Sequence, residues 1–88
     1  MESAFNYTIW NHGDGDKIVS SQPVVLRAII ESAALTGDVT LRDGTTASGT
    51  SLGVYSATTE FYDMRLANGL FIDDNATAGQ IIVVWRGA

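Results

Sequence analysis

Short stretches of alternating apolar and polar residues recur along most of the chain, separated by turns rich in glycine, aspartate and asparagine. The alternation is clear in residues 39–42, 60–66 and 80–86, and Asp-Gly and Asn-Gly turn dipeptides follow the first two. A period of two residues is typical of β-strands, and these dipeptides favour tight antiparallel turns. About seven or eight short strands, spaced roughly 8–12 residues apart, predict an all-β fold: a small antiparallel β-sandwich or jelly-roll-like domain.

Three details of this pattern are specific enough to be tested. In residues 60–66 the alternation places Tyr62, Met64 and Leu66 on one face of a strand. The Asn68-Gly69 turn predicts a hairpin in which residues 69–73 pair back on that strand. The closing strand, residues 80–86, is apolar on both faces, which predicts a position in the middle of a sheet or a covered outer side.

Residues 24–35 fit two patterns. Leu26, Ile29 and Ile30 stand at helical spacing, and Ser21 with Pro23 is a suitable start for a helix. The same segment also alternates, and β-branched residues dominate its first half. The strand is favoured, because everything that follows in the chain is β.

The 88 residues are enough for one domain, residues 1–88, and contain no cysteine for a disulfide. Docking onto neighbouring copies or onto a larger surface would compensate for the small core. Residues 1–10 are either the first strand of the sandwich or an arm that docks on a neighbour, and the first alternative is slightly favoured. Residues 11–23 form a loop region in which residues 17–20 make a short strand.

Charge and hydropathy argue against two classes of partner. Five basic residues stand against ten acidic ones, a net charge of −5, whereas nucleic-acid binding favours a basic face. No stretch approaches the ~20 apolar residues of a membrane span, and the N-terminus lacks the apolar core of a signal peptide. We therefore expect no nucleic acid and no membrane, and a protein made in the cytoplasm or built into something assembled there.

The sequence offers little catalytic chemistry, and no enzyme is expected. His12 is the single histidine, in a glycine-rich loop with Asp14 and Asp16 as the nearest acids. A flexible loop is a poor platform for acid–base geometry, and an exposed or interface histidine is the favoured interpretation. No phosphate-binding glycine motif is present, so no cofactor is expected.

Two acidic loops suggest a metal site as a minor alternative. Asp14 and Asp16 lie in one loop, and Asp73 and Asp74 lie beside Asn75 in another. If the loops met at one end of the sandwich, their carboxylates could hold a divalent cation. Aspartate and asparagine also favour turns by bonding their own backbone, and this interpretation is preferred, so no metal site is expected.

Aromatic residues favour an interface over a sugar-binding groove. Tyrosine and tryptophan stack on sugars in lectins, but they are more often found in cores and subunit contacts. The residues expected at an interface are Phe5, Tyr7, Ile9, Trp10, His12, Tyr55 and Trp85.

Residues 26–85 resemble a group of small bacteriophage virion proteins. The similar pieces are an apolar strand ending in ESAALTG, then DVTLRDGTTASGTSLG, then FYDMRLANGLFID, then the closing strand IIVVW. The most distinctive parts are residues 37–50, which follow a G-x-V-T-L-x-D-G-T…S-G-T pattern, and the N-G-L turn at residues 68–70. The first 23 residues match nothing in this group.

The resemblance implies a non-enzymatic virion protein, most simply a capsid cement or decoration subunit on the surface of the phage head. Its partners would be the major capsid protein, copies of itself, or both, with assembly in the host cytoplasm. Alternatives are a head–tail connector or tail subunit, or a module that binds host glycans.

Overall fold

Eight strands form two four-stranded antiparallel sheets in the computed structural model, which describes residues 5–88. The strands are β1 (Asn6–Asn11), β2 (Lys17–Ser20), β3 (Val24–Ala33), β4 (Val39–Asp43), β5 (Thr50–Tyr55), β6 (Thr59–Leu66), β7 (Leu70–Asp73) and β8 (Gln80–Gly87). Sheet A has the order β1-β8-β3-β6, and sheet B the order β2-β7-β4-β5. The predicted all-β sandwich is confirmed, and β3 settles residues 24–35 in favour of a strand.

The strand pairs show how the chain is wound. β1 pairs with β8, β2 with β7, β3 with β6 and β4 with β5, as in one long antiparallel hairpin. Rolling up this hairpin also brings β3 against β8 and β4 against β7. The result is a jelly roll, in which two sheets close over one core. The described part of the chain contains no helix long and apolar enough to cross a membrane.

The hairpin predicted at Asn68-Gly69 is wrong, because this turn leads from β6 in sheet A to β7 in sheet B. Gly69 has a φ of +124°, and a Cβ there would lie 2.5 Å from the carbonyl oxygen of Ser20 and 3.0 Å from that of Gly44. The glycine is needed where three backbone segments meet at a change of sheet. The dipeptide alone does not distinguish such a corner from a hairpin.

A bulge in β6 changes which of its side chains face the core. Three residues of β6 lie opposite the single residue Arg27 of β3. Asp63 takes a left-handed conformation, with φ +50°, and its carboxylate lies 3.8 Å from the Arg27 guanidinium. Phe61 is thereby buried and Tyr62 is 95% exposed, so the predicted face for Tyr62 is wrong. β3 also shifts its register against β8 at this place, between Leu26 and Ala28, so the inward-facing positions change on both of the paired strands.

The core lies between the sheets and includes the largest side chain of β1. Trp10 is fully buried, and its indole Nε1 donates a 2.6 Å hydrogen bond to the carbonyl oxygen of Gly15. β1 also pairs with β8 along its whole length, so it is an edge strand of the sandwich rather than a separate arm. Residues 1–4 lie outside the described residues. The core cluster consists of Trp10, Val24, Leu26, Ile29, Val39, Leu41, Phe61, Leu66, Leu70, Ile72, Ile81 and Val83.

Replacing Trp10 by alanine should lower the free energy of unfolding by about 3–5 kcal/mol, because it leaves a large cavity in the core and removes the indole hydrogen bond. Denaturant titration followed by circular dichroism measures this difference. Tyr62→Ala is the control, because its ring is exposed, and it should change stability by less than about 0.5 kcal/mol. Equal stability of the two variants would contradict the core position of Trp10.

Candidate functional site

The outer face of sheet A carries an apolar surface that spans three neighbouring strands. Residues directly opposite each other in an antiparallel sheet share a face. Two rows of directly opposite residues run across β1, β8 and β3, and the side chains of both rows point away from the core. We call the six residues of these rows the outer-face patch: Ile9, Ile82 and Ile30 in the first row, and Tyr7, Val84 and Ala28 in the second.

The burial of neighbouring residues shows that the outer-face patch points away from the core. The residues on either side of Ile82 in β8 belong to the core cluster, so Ile82 faces outwards. In β1, Trp10 lies in the core, while Tyr7 is 69% and Ile9 is 52% exposed. Tyr7, Ile9 and Ile30 are the exposed members of the patch, whereas Val84 is only 7% exposed. Single exposed apolar residues are ordinary on protein surfaces, whereas neighbouring ones indicate a contact surface.

Two arginines border the outer-face patch at one end. Arg65 of β6 and Arg86 of β8 both lie directly opposite Val25 of β3. Val25 is fully buried although it lies outside the core cluster, and the aliphatic stems of arginine are suited to cover it. Among residues 5–88, neither arginine has an acid within ion-pair distance, whereas the other three basic residues do. Glu60 of β6 lies opposite Ala28 on the same face, so the outer-face patch is bordered by one acid as well as by the two arginines.

The outer face of sheet B differs from that of sheet A because polar contacts divide its apolar residues. Phe71 lies there between Ile18 and Arg42. The Arg42 guanidinium lies 3.4 Å from a carboxylate oxygen of Asp73 and donates a 3.1 Å hydrogen bond to the carbonyl oxygen of Gly49. This polar network interrupts the apolar surface of sheet B, so sheet A offers the better docking face.

The structure divides the residues that the sequence assigned to an interface. Phe5, Tyr7 and Ile9 are exposed beside one another at the edge of sheet A. Trp10 is the exception, because it lies in the core, and the prediction that it is available to a partner is wrong. Tyr7 and Ile9 belong to the outer-face patch, so the structure brings two of the expected residues into one surface.

Tyr55 and Trp85 are half-buried and are bonded within the chain. The Trp85 indole Nε1 donates a 2.8 Å hydrogen bond to Oγ1 of Thr8, and its ring packs against the core. The Tyr55 hydroxyl donates a 2.8 Å hydrogen bond to the carbonyl oxygen of Leu52, and its ring meets Phe61 edge-on with the centroids 5.3 Å apart. Both side chains thus support the packing between the sheets. Neither tryptophan of the chain forms an exposed platform for a sugar.

Burial raises the pKa of the Tyr55 hydroxyl above its usual value of 10.0. The folded state therefore binds this proton more tightly than the unfolded state, and the corresponding stability is present below about pH 10 and is lost as the pH rises further. Tyr55→Phe should make the melting temperature fall less steeply above about pH 10. The variant also loses the hydrogen bond of the Tyr55 hydroxyl at neutral pH. The quantity to compare is therefore the slope of melting temperature against pH, and not the melting temperature at one pH. Tyr62→Phe controls for the loss of one tyrosine, and a slope for Tyr55→Phe equal to that of the wild type would contradict this role.

His12 lies in a single 3₁₀ turn, His12–Asp14, and is exposed. The nearby carboxylate of Asp14 accepts a 3.0 Å hydrogen bond from the backbone N–H of Asn11 and lies 3.8 Å from the Lys17 ammonium. The imidazole makes no hydrogen bond to another residue among 5–88, so no side chain in this part of the chain orients it. It lines a shallow pocket together with Asn11, Ala33, Ala78, Gly79 and Gln80.

The two acidic loops do meet, and carboxylate oxygens of Asp16, Asp73 and Asp74 lie within 4.8 Å of one another. Each carboxylate already has a partner. Asp16 accepts a 2.9 Å hydrogen bond from the backbone N–H of Asp74, Asp74 accepts one of 3.2 Å from that of Ala76, and Asp73 is paired with Arg42. Turn formation therefore accounts for this acidic cluster without a bound cation.

The turn after β7 contains an alanine in a strained conformation. Asn75 and Ala76 have φ values of +50° and +57°, and the N–H of Thr77 donates a 2.8 Å hydrogen bond to the carbonyl oxygen of Asp74. Two left-handed central residues define a type I′ turn, which favours glycine at the second. Left-handed alanine is sterically unfavourable by about 1 kcal/mol.

Ala76→Gly should therefore raise the free energy of unfolding by up to about 1 kcal/mol. Thermal denaturation measures the change. Ala78→Gly is the control, because Ala78 is not left-handed and glycine there only adds freedom to the unfolded chain. A loss of stability in both variants would show that the turn is not strained.

Sequence reasoning missed four members of the outer-face patch: Ala28, Ile30, Ile82 and Val84. The apolar outer side of residues 80–86 indicates two of them, Ile82 and Val84. The others required the register between β3 and β8, which no local pattern reveals.

Comparisons of the chain with protein-family models, with curated proteins and with solved structures found no match. Function is therefore inferred from the strand topology and the outer-face patch.

Proposed function

We propose that the protein is a non-enzymatic structural component of a bacteriophage particle: a cement or decoration subunit that binds the coat subunits of the head. The observation that carries the proposal is the outer-face patch. An apolar sheet face is stable when a second layer covers it, and the inner face of sheet A is already covered by sheet B. A lattice of coat subunits supplies the second layer on the outer side.

The jelly roll supports this proposal as an analogy. Viral capsid domains, lectins and cupins all use this arrangement, so it is compatible with several functions. The resemblance of residues 26–85 to small virion proteins favours the first of these. Exposed tryptophans would favour a lectin, but Trp10 is buried and Trp85 packs inwards.

The proposed role requires binding and no covalent chemistry. A protein that binds the assembled shell but not its separated subunits stabilises the shell by mass action. The outer-face patch supplies apolar area for such binding, and Arg65 and Arg86 supply charges for carboxylates on a coat subunit. The partners on this proposal are the major capsid protein and further copies of the chain itself.

Ile9→Thr should weaken binding to phage heads stripped of the protein by about tenfold, because it removes apolar contact area from the outer-face patch. Ile18→Thr is a matched control: Ile18 is also on an edge strand and is also 52% exposed, but it lies in sheet B. Co-sedimentation of labelled protein with the heads measures both affinities. Ile30→Thr, in the interior of sheet A, should behave like Ile9→Thr.

Equal effects of the sheet A and sheet B variants would contradict docking through the outer-face patch. The rupture temperature of heads with and without the protein tests the cement role itself, and equal temperatures would exclude it. Copies confined to one ring of the particle would favour the connector or tail alternative, whereas copies spread over the shell support decoration.

A further inference from the structure

β1 differs from the other edge strands of the sandwich. Each four-stranded sheet has two edges, which are β1 and β6 in sheet A and β2 and β5 in sheet B. An edge strand exposes unpaired N–H and C=O groups, and soluble proteins protect such edges with bulges, charges, prolines or short strands. Three of the four edges here have such protection.

The protected edges each carry an identifiable device. β6 has the bulge around Asp63 and a charged surface. β2 is four residues long, begins with Lys17 and has a shift in register. β5 has a shift in register and Gly53 at φ +122°. By contrast, β1 is six residues long, uncharged, free of proline and in continuous register with β8.

The open hydrogen-bonding groups of β1 belong to Tyr7 and Ile9. The backbone N–H of His12 donates a 3.1 Å hydrogen bond to the carbonyl oxygen of Gly79 on the β8 side. Bonding to the neighbouring strand alternates along an antiparallel ladder, so the even-numbered residues of β1 bond to β8. The N–H and C=O groups of the odd-numbered Tyr7 and Ile9 therefore point to the open edge.

Asn11 marks the end of the open stretch. Its N–H donates a 3.0 Å hydrogen bond to the Asp14 carboxylate, as expected for an odd-numbered residue that does not bond to β8. Asp14 thus closes this end of the edge and leaves Tyr7 and Ile9 available.

We propose that β1 pairs antiparallel with β1 of a second copy, so that two sheets A become one continuous eight-stranded sheet. The strand is uncharged, and two copies therefore do not repel each other along it even though each chain has a net charge of −5. A two-fold axis pairs odd-numbered residues with odd-numbered residues, which places Tyr7 and Ile9 of both copies on one face. Cross-strand pairs of aromatic and β-branched side chains are favourable.

Charges at the two ends of β1 support a second copy as the partner. Antiparallel pairing brings the end of one β1, where the Asp14 carboxylate caps the edge, beside the beginning of the other. Asn6, the first residue of β1, lies opposite Trp85, so Arg86 is close to this end of the strand. Arg86 has no acid within ion-pair distance among residues 5–88. The two-fold axis forms this complementary arrangement twice.

The pairing goes beyond the proposed function, because it requires no phage head. It would also join the outer-face patches of the two copies across six strands and so enlarge the surface offered to a coat lattice.

Sedimentation of the purified protein up to about 1 mM, combined with amide hydrogen exchange followed by NMR, tests the pairing without any variant. We expect a concentration-dependent dimer in which the Tyr7 and Ile9 amides exchange at least about tenfold more slowly than in the dilute protein. The Thr8 and Trp10 amides, bonded to β8, should be protected at every concentration. A monomer throughout, or a dimer without added protection at Tyr7 and Ile9, would overturn the proposal.

Ile9→Pro provides the second test, because proline removes an N–H that points to the open edge and takes no bond from β8. The dimer dissociation constant should rise at least about tenfold. Ile18→Thr is the control: Ile18 has the same exposure but lies in sheet B, away from β1, and its replacement should change the constant by less than about threefold. A folded Ile9→Pro variant that dimerises like the wild type would overturn the proposal. If this variant does not fold, the exchange of the wild-type amides decides.

Failure of the pairing and failure of the proposed function can be distinguished. Head binding by a chain that stays monomeric would refute the pairing alone, whereas a β1-paired dimer that does not bind heads would refute only the proposed function.

Discussion

The structure depends on β8, which is apolar on both faces and hydrogen-bonded on both edges. Its inner side chains, Ile81 and Val83, complete the core between the sheets. Its backbone joins β1 to β3 and so holds the roll closed in a chain that has no disulfide. Its outer side chains, Ile82 and Val84, form the centre of the outer-face patch. The same strand therefore stabilises the fold and creates the surface to which a function is assigned.

The parts of the fold that could be predicted from the sequence depend on local periodicity. Alternation identifies a strand, and a strand that is apolar on both faces belongs inside a sheet, as β8 does. The bulge in β6 could not be foreseen, since its residues are unexceptional and only the mismatch with β3 defines it. The turn at Asn68-Gly69 was misinterpreted for a similar reason. The residues of a turn determine that the chain reverses its direction, but they do not determine in which sheet the next strand pairs.

The candidate site shows the same limit in β1. Alternation separates Tyr7 and Ile9 from Trp10, but it does not determine which face meets the second sheet. The face with more apolar residues lies outwards, and the face with one large indole lies in the core. The sequence raised a meeting of the acidic loops only as the condition for a metal site, and the structure brings them together. Only the hydrogen bonds to backbone N–H groups show that their carboxylates organise turns.

The pairing of β1 with β8 also has a consequence for how the chain folds during synthesis. About 70 residues separate the end of β1 from the start of β8, so β1 cannot find its neighbour until most of the chain has left the ribosome. At roughly 5–20 residues per second, β1 waits about 4–14 s, which is long compared with the folding of many small β domains. During this interval Trp10 is without its native cover, beside Tyr7 and Ile9, which are exposed even in the folded chain. A nascent chain of this kind is most exposed to association with its neighbours on the same messenger RNA, where many copies emerge close together.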